Sequence, residues 1–191
     1  MAIKLNVGCG RNILPEWTNL DVAASPGVDI VYDLERAAEI RLPLEENTVD
    51  EFLLSHVLEH VSNALPMMQE LYRVARPDAK AIIRLPHGAS DDAWEDPTHV
   101  RSYFPQSFSY FAQTNYWRAD YGYRGDWQPE RVLLLVSKQI YAGVDADAIS
   151  KDLMSKRNVV LEMIAEMRAV KPIREPLREL QIPPKLEIVL V

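Results

Sequence analysis

Leu5-Asn6-Val7-Gly8-Cys9-Gly10, with Asp21 closing Trp17-Thr18-Asn19-Leu20-Asp21 eleven positions after Gly10, is the stretch that decides the fold. Ile3 to Val7 reads as a short buried strand, because Ile3, Leu5 and Val7 are apolar, and it stops abruptly in a glycine turn. The six residues Arg11 to Glu16 that follow are too few for a long helix. Trp17 to Asp21 is a second strand, and Val28 to Tyr32, finishing at Asp33, is a third. A fourth, Val49 to Leu54, is introduced by the turn-forming Glu46-Asn47-Thr48. Between Asn63 and Ala75 the apolar residues Leu65, Met68, Leu71, Tyr72 and Ala75 fall on one helical face, with Asn63 as cap and Pro77 as stop. A fifth strand, Ala79 to Leu85, is closed by Pro86. A strand, helix, strand order of this length implies a parallel sheet with right-handed crossover.

Outward from this block the pattern changes. Residues 87–130 hold 11 of the 16 aromatics without clear period, which reads as a lid over the sheet with a helical part at Pro105 to Gln113. Arg131 to Tyr141 reads as a sixth strand, and Ala146 to Val170 as a helix carrying Ile149, Leu153, Val160, Ile164 and Met167. Prolines 172, 176, 183 and 184 precede a final strand, Leu186 to Val191. No repeat and no Gly/Ser-rich linker divides the chain, so residues 1–191 are expected to be a single α/β domain.

The chain is 191 residues, 48% apolar, with a net charge of -7, enough for one real core. Residues 1–60 hold 4 Lys/Arg against 11 Asp/Glu, so that end repels polyanions and nucleic acid is not an expected partner. No apolar run reaches the roughly 18 residues a membrane span needs. The N-terminus lacks a secretory pattern, and the one cysteine, Cys9, cannot close an internal disulfide. The expected setting is cytoplasmic; the oligomeric state is left open.

In an open parallel sheet, ligands bind beyond the carboxyl ends of the strands where strand order reverses. Gly8 and Gly10 let backbone approach a ligand, and Asp21 has two oxygens to accept a ribose's two hydroxyls. A dinucleotide needs a third glycine opening a full helix, with its acid about 20 residues on. Here Ile13 stands at the third glycine's position and the acid follows too soon. A nucleoside ligand without pyrophosphate fits better, and S-adenosylmethionine, whose sulfonium suits acidic surroundings, is such a ligand.

Leu5-Asn6-Val7-Gly8-Cys9-Gly10, Asn19-Leu20-Asp21, Val28-Asp29-Ile30-Val31-Tyr32-Asp33-Leu34, Leu42-Pro43, Ser55-His56-Val57-Leu58-Glu59-His60 and Leu71-Tyr72-Arg73-Val74-Ala75-Arg76-Pro77 together resemble the Rossmann-like, class I S-adenosylmethionine-dependent methyltransferases of the broad type 11 group. The resemblance spans residues 3–86. It implies a glycine turn, Gly8-Cys9-Gly10, around the methionine moiety, with Asp21 on the ribose. It also implies Asp33 and the Leu34 backbone at the adenine, and the Ser55-His56-Val57 backbone flanking the cofactor. The sheet it implies is mostly parallel and seven-stranded with an antiparallel last strand, here Leu186 to Val191. The chain departs from the family in a shortened first helix, and in Asp78-Ala79 where Gly-Gly is common before strand five.

Methyl transfer asks mainly for alignment and exclusion of water, with a base near neutral pKa adding about 10²- to 10⁴-fold. His60, His87, which follows strand five, and His99, in Asp96-Pro97-Thr98-His99-Val100-Arg101, are the candidates for that base, with His60 and His99 jointly preferred. His87, Trp94, Arg101 and Tyr103 are candidates for contacts to a small-molecule or glycan-like acceptor. Cys9 between its glycines reads as a packing residue rather than a nucleophile.

Two rival functions are open. The shortened connector suggests a binding protein that keeps the fold without the reaction. His56-Val57-Leu58-Glu59-His60 also spells H-x-x-E-H, a zinc-hydrolase motif that requires both histidines on one helix. Because the rest of the chain fits a nucleoside site, no metal is expected. Ser-His-Val-Leu after strand four is unlike the motif of enzymes that methylate extruded bases.

Overall fold

The computed structural model describes residues 2–191. Eight strands form one sheet: β1 (Ile3–Val7), β2 (Thr18–Asp21), β3 (Ile30–Val31), β4 (Val49–Ser55), β5 (Ala75–Pro86), β6 (Trp127–Val136), β7 (Val160–Ala169) and β8 (Lys185–Leu190). The α-helices are α1 (Ala64–Val74), α2 (Asp92–Glu95), α3 (Lys138–Tyr141) and α4 (Ala146–Leu153). The spatial order is β3-β2-β1-β4-β5-β7-β6-β8. β1 to β5 run parallel, β7 is antiparallel to both β5 and β6, and β8 is parallel to β6.

The expected mostly parallel α/β sheet with an antiparallel seventh strand is present, with two amendments. The reversed strand is Val160–Ala169, not the chain-terminal segment, and Lys185–Leu190 adds an eighth strand. The helix expected from Ala146 to Val170 covers only Ala146–Leu153. Beyond it Met163, Ala165, Met167 and Ala169 are buried in strict alternation. Their segment lies between β5 and β6, and two full ladders of backbone hydrogen bonds override the helical spacing of the side chains. β6 likewise begins at Trp127, inside the stretch read as lid, and ends at Val136; the expected strand end Lys138–Tyr141 is α3.

α1 forms where its periodicity predicts, burying Met67, Met68, Leu71 and Val74. Asn63 does not cap it through its side chain. Glu35 acts instead, its carboxylate accepting from the Ser62 and Asn63 amides at 2.7 and 3.2 Å. The helix passes into β5 at Ala75, before Pro77. Arg73, paired with the buried Glu70 at 2.7 Å, donates to the carbonyls of Leu42 and Leu44 and so ties down the loop before β4. Asp78 takes the left-handed conformation (φ 63°) where a glycine is usual.

Strand alternation gives the sheet two unlike faces. Leu5, Phe52, Ile83, Val132 and Ala165 point to one face, where they are fully buried under α1 and the lid. The lid has 3₁₀ turns at Pro105–Phe111 and Gln113–Tyr116, and its Tyr103, Phe108, Phe111, Tyr116 and Tyr123 belong to that same core. Trp127 joins the layers: its indole N–H donates to the Met68 carbonyl at 2.9 Å and its ring meets Phe52 edge-on at 5.5 Å. The other face carries cross-strand ion pairs, Lys4 with Glu51 at 2.9 Å, Arg131 with Glu166 at 2.6 Å, and Arg84 with Glu162.

Among the described residues no helix lies between β1 and β2, so the shortened first helix is absent altogether. Two buried asparagines hold the connector in its place. Asn6 Nδ2 donates to the Asn12 carbonyl at 2.8 Å and to Asn19 Oδ1 at 2.9 Å. Asn19 in turn accepts from the Leu14 amide and donates to the Leu14 and Trp17 carbonyls. Among the described residues no helix is long and apolar enough to cross a membrane.

Candidate functional site

The order of strands reverses between β1 and β4, and the glycine turn stands at that point. Gly8 has φ 61°, and a Cβ there would lie 2.6 Å from Val57 Cγ2, so no larger residue fits. Gly10, at φ 54°, faces open space. Its amide donates to Asp21 Oδ2 at 2.8 Å, while Asp21 Oδ1 accepts from the Ala23 amide at 3.0 Å. The carboxylate is thus oriented by backbone, and each oxygen keeps a lone pair for a ligand hydroxyl.

Gly8, Asp21, Asp33, Leu34, His56 and Val57 line one cleft of about 320 Å³, and His60 closes it. Cys9, Gly10 and Ser55 do not line it. Cys9 is buried, and both its burial and the Asp21 charge push its thiol pKa up, which keeps it protonated. Asp33 Oδ1 accepts from the Glu35 amide at 3.0 Å, fixing the far wall. These residues fit a nucleoside thioether: an unobstructed bend beside an oriented carboxylate. A larger cavity of about 690 Å³, between Ala37–Arg41 and Lys171–Ile173, contains none of the glycine turn.

The helical H-x-x-E-H arrangement does not form. Only Leu58–His60 make a single 3₁₀ turn, and His56 precedes it in the left-handed region at φ 54°. His56 Nε2 lies 3.1 Å from Glu162 Oε1 and its Nδ1 lies 3.4 Å from Glu59 Oε1.

His60 and His99, far apart in sequence, come together with ring centroids 4.7 Å apart. The lid segment is docked on this turn by the Val100 and Arg101 amides, which donate to the Glu59 carbonyl at 2.9 and 3.3 Å. Thr98 Oγ1 donates to Asp96 Oδ1 at 2.6 Å and lies 3.0 Å from His60 Nδ1. The threonine's single proton goes to Asp96, so His60 Nδ1 is the donor to Thr98 and its Nε2 bears the lone pair. The Thr98 hydrogen bonds hold the Asp96 carboxyl below its ordinary range.

The acceptor candidates do not all converge. Arg101 and Tyr103 line a second cavity of about 400 Å³ with Leu65, Tyr110, Phe111 and Tyr116. Burial pushes the Tyr103 hydroxyl up to about 12. His87 sits at the end of β5 with its ring against Phe104, burial pushing its pKa down, and lines neither cavity. Trp94 lies on the surface, its indole N–H donating to the Gly88 carbonyl at 3.0 Å.

Sequence reasoning gave Glu59 a role only in the rejected helical motif. It is nonetheless the most unusual group present, a carboxylate 2% exposed with neither oxygen hydrogen-bonded.

Residues 5–83 match the family described as "Methyltransferase domain". Among curated proteins none matches the chain in sequence. Solved structures do. A SAM dependent methyltransferase from Archaeoglobus fulgidus is 15% identical with a TM-score of 0.58, covering 87% of this chain and 86% of its own. An S-adenosylmethionine dependent methyltransferase from Mesorhizobium loti is 11% identical with a TM-score of 0.54, covering 87% and 90%. The 1,6-didemethyltoxoflavin-N1-methyltransferase of Burkholderia thailandensis, solved with 1,6-didemethyltoxoflavin and S-adenosylhomocysteine bound, is 11% identical with a TM-score of 0.52, covering 89% and 72%.

Proposed function

We propose that this chain is a class I, type 11 methyltransferase dependent on S-adenosylmethionine and that it methylates a small-molecule or glycan-like acceptor by direct transfer, a reading supported by the match of residues 5–83 to the methyltransferase domain and by the shared fold. The observation that carries the reading is the cleft at the strand reversal, where Asp21 presents an oriented carboxylate beside the glycine turn. Asp21 takes the ribose hydroxyls there, Asp33 and the Leu34 backbone meet the adenine, and Gly8 and Val57 pack on the remainder. The cofactor supplies an electrophilic methyl group. The chain's own part is to align the acceptor with it and keep water out.

The aromatic cavity beneath the lid, with Arg101 and Tyr103 in its wall, suits an acceptor with an apolar ring face and hydroxyl edges. His60 faces the cleft and is backed by His99, so these two assist loss of the acceptor's proton.

Titration calorimetry with S-adenosylhomocysteine tests the reading. Asp21→Ala removes hydrogen bonds to a charged group, each worth about 1.5–3 kcal/mol, and is expected to weaken binding roughly ten- to a hundredfold. Equal affinity in both proteins removes the ribose assignment. Tight binding without release of S-adenosylhomocysteine from the methyl donor, across a panel of phenols, sugars and amines, leaves a binding protein in place of an enzyme.

A further inference from the structure

We infer that Glu59, His60 and His99 form a site for a divalent cation of the zinc class beside the cofactor cleft, which His60 lines. A potential ligand atom from each residue falls within 4.8 Å of the other two. One ion bound at about 2.0–2.2 Å to each would draw them together by a small adjustment of side chains.

The strongest argument is the state of Glu59. Its carboxylate is withdrawn from water, and neither oxygen accepts a hydrogen bond. Among the described residues its one ion-pairing neighbour is the His56 imidazole, with Nδ1 3.4 Å from Oε1 and the other nitrogen engaged by Glu162. An ionised carboxylate left so poorly partnered is costly, and buried charges are commonly settled by a partner or a metal.

The histidines are prepared in the same sense. His60 is held by Thr98 in the tautomer that leaves Nε2 free to ligate. His99 has one nitrogen, Nδ1, buried without any partner, while its Nε2 lies 3.9 Å from Asp96 Oδ2. Carboxylates and hydroxyls behind the outer nitrogens are the usual support of metal-bound imidazoles. Here Asp96 stands behind both rings, directly for His99 and through Thr98 for His60.

Two imidazoles and one carboxylate make a three-ligand set with an open fourth position, and nitrogen-rich sets select zinc or cobalt over magnesium or calcium. That the fourth ligand is an acceptor hydroxyl, made more acidic by the ion, rests on the methyltransferase reading. In that arrangement His60 and His99 serve as ligands and not as free bases, and the proton of the acidified acceptor hydroxyl passes to bulk water as its oxygen takes the methyl group. Binding of the ion itself does not rest on that reading.

Metal-stripped protein titrated with cobalt(II), followed by the visible ligand-field bands of a low-coordinate ion, tests the site; zinc competition against a chromogenic chelator gives the affinity. One cobalt per chain is expected. Glu59→Gln and His99→Ala should each weaken zinc by more than about a hundredfold, since loss of mere supporting groups already costs 10–100-fold. His56→Ala should leave the cobalt spectrum in place. Circular dichroism confirms that each variant is folded, and Glu59→Gln keeps the shape of the side chain. Absence of the spectrum in folded wild-type protein overturns the proposal. So does a spectrum that survives His99→Ala but is lost in His56→Ala, which returns the metal to the H-x-x-E-H set. Because the titration contains neither cofactor nor acceptor, its failure is separable from failure to bind S-adenosylhomocysteine.

Discussion

On one side of β4, Phe52 meets the edge of Trp127 in a dry core; on the other, Glu51 reaches across to Lys4 of β1 in partial contact with water. Parallel sheets ordinarily have helices on both faces and read as continuous apolar runs. This sheet has a helix and an aromatic lid on one face and charged side chains on the other, and its strands alternate as antiparallel ones do, Ile3-Lys4-Leu5-Asn6-Val7 and Ala79-Lys80-Ala81-Ile82-Ile83-Arg84-Leu85. The lesson is that the covering layer can be replaced by polar side chains of suitable register. At β1 the replacement goes furthest, where Asn6 and Asn19 anchor a helix-free connector directly on the sheet.

The two faces should therefore respond differently to truncation. Phe52→Ala opens a cavity beside Trp127 and is expected to cost about 3–5 kcal/mol, read as a lowered midpoint of denaturant unfolding. Asn19→Ala strands the amide and carbonyl of Leu14 and the Asn6 side chain, an expected loss of about 1–3 kcal/mol. It should also loosen the turn at Gly10 and weaken S-adenosylhomocysteine in the same calorimeter. Glu51→Gln removes one half-exposed ion pair, so less than about 1 kcal/mol is expected, shrinking further in high salt. A cost for Glu51→Gln as large as that for Phe52→Ala would break the comparison, because the open face would then carry structural weight equal to the core.

What the sequence reveals follows from how local each signal is. Gly8, Asp21, Asp33 and His56 come together at one cleft because each stands at the end of an adjacent parallel strand, an arrangement the strand pattern of the sequence makes visible. β7 is misread because Val160, Ile164 and Met167 keep helical spacing, and the ladders that make it a strand are contributed by residues far away in sequence. The aromatics of the lid have no period because they fill gaps between irregular turns and not one face of an element. The sequence marks His60 and His99 jointly as candidate bases on their chemistry alone. Their junction depends on backbone bonds from Val100 and Arg101 to Glu59, which no spacing rule contains. Glu59 itself looked like part of a short motif, and its isolation from hydrogen-bond donors is visible only once the lid is in place.

The insertion of β7 between β5 and β6 also dictates a timetable for biosynthesis. The first five strands can zip together as they leave the ribosome, yet Lys80 must wait for Arg168, and Pro86 for Glu162. During that interval the outer margin of β5 offers bare amides and carbonyls to any nascent neighbour. Lys80 and Arg84, spaced along it, carry like charges of the kind that discourage pairing of one bare edge with another.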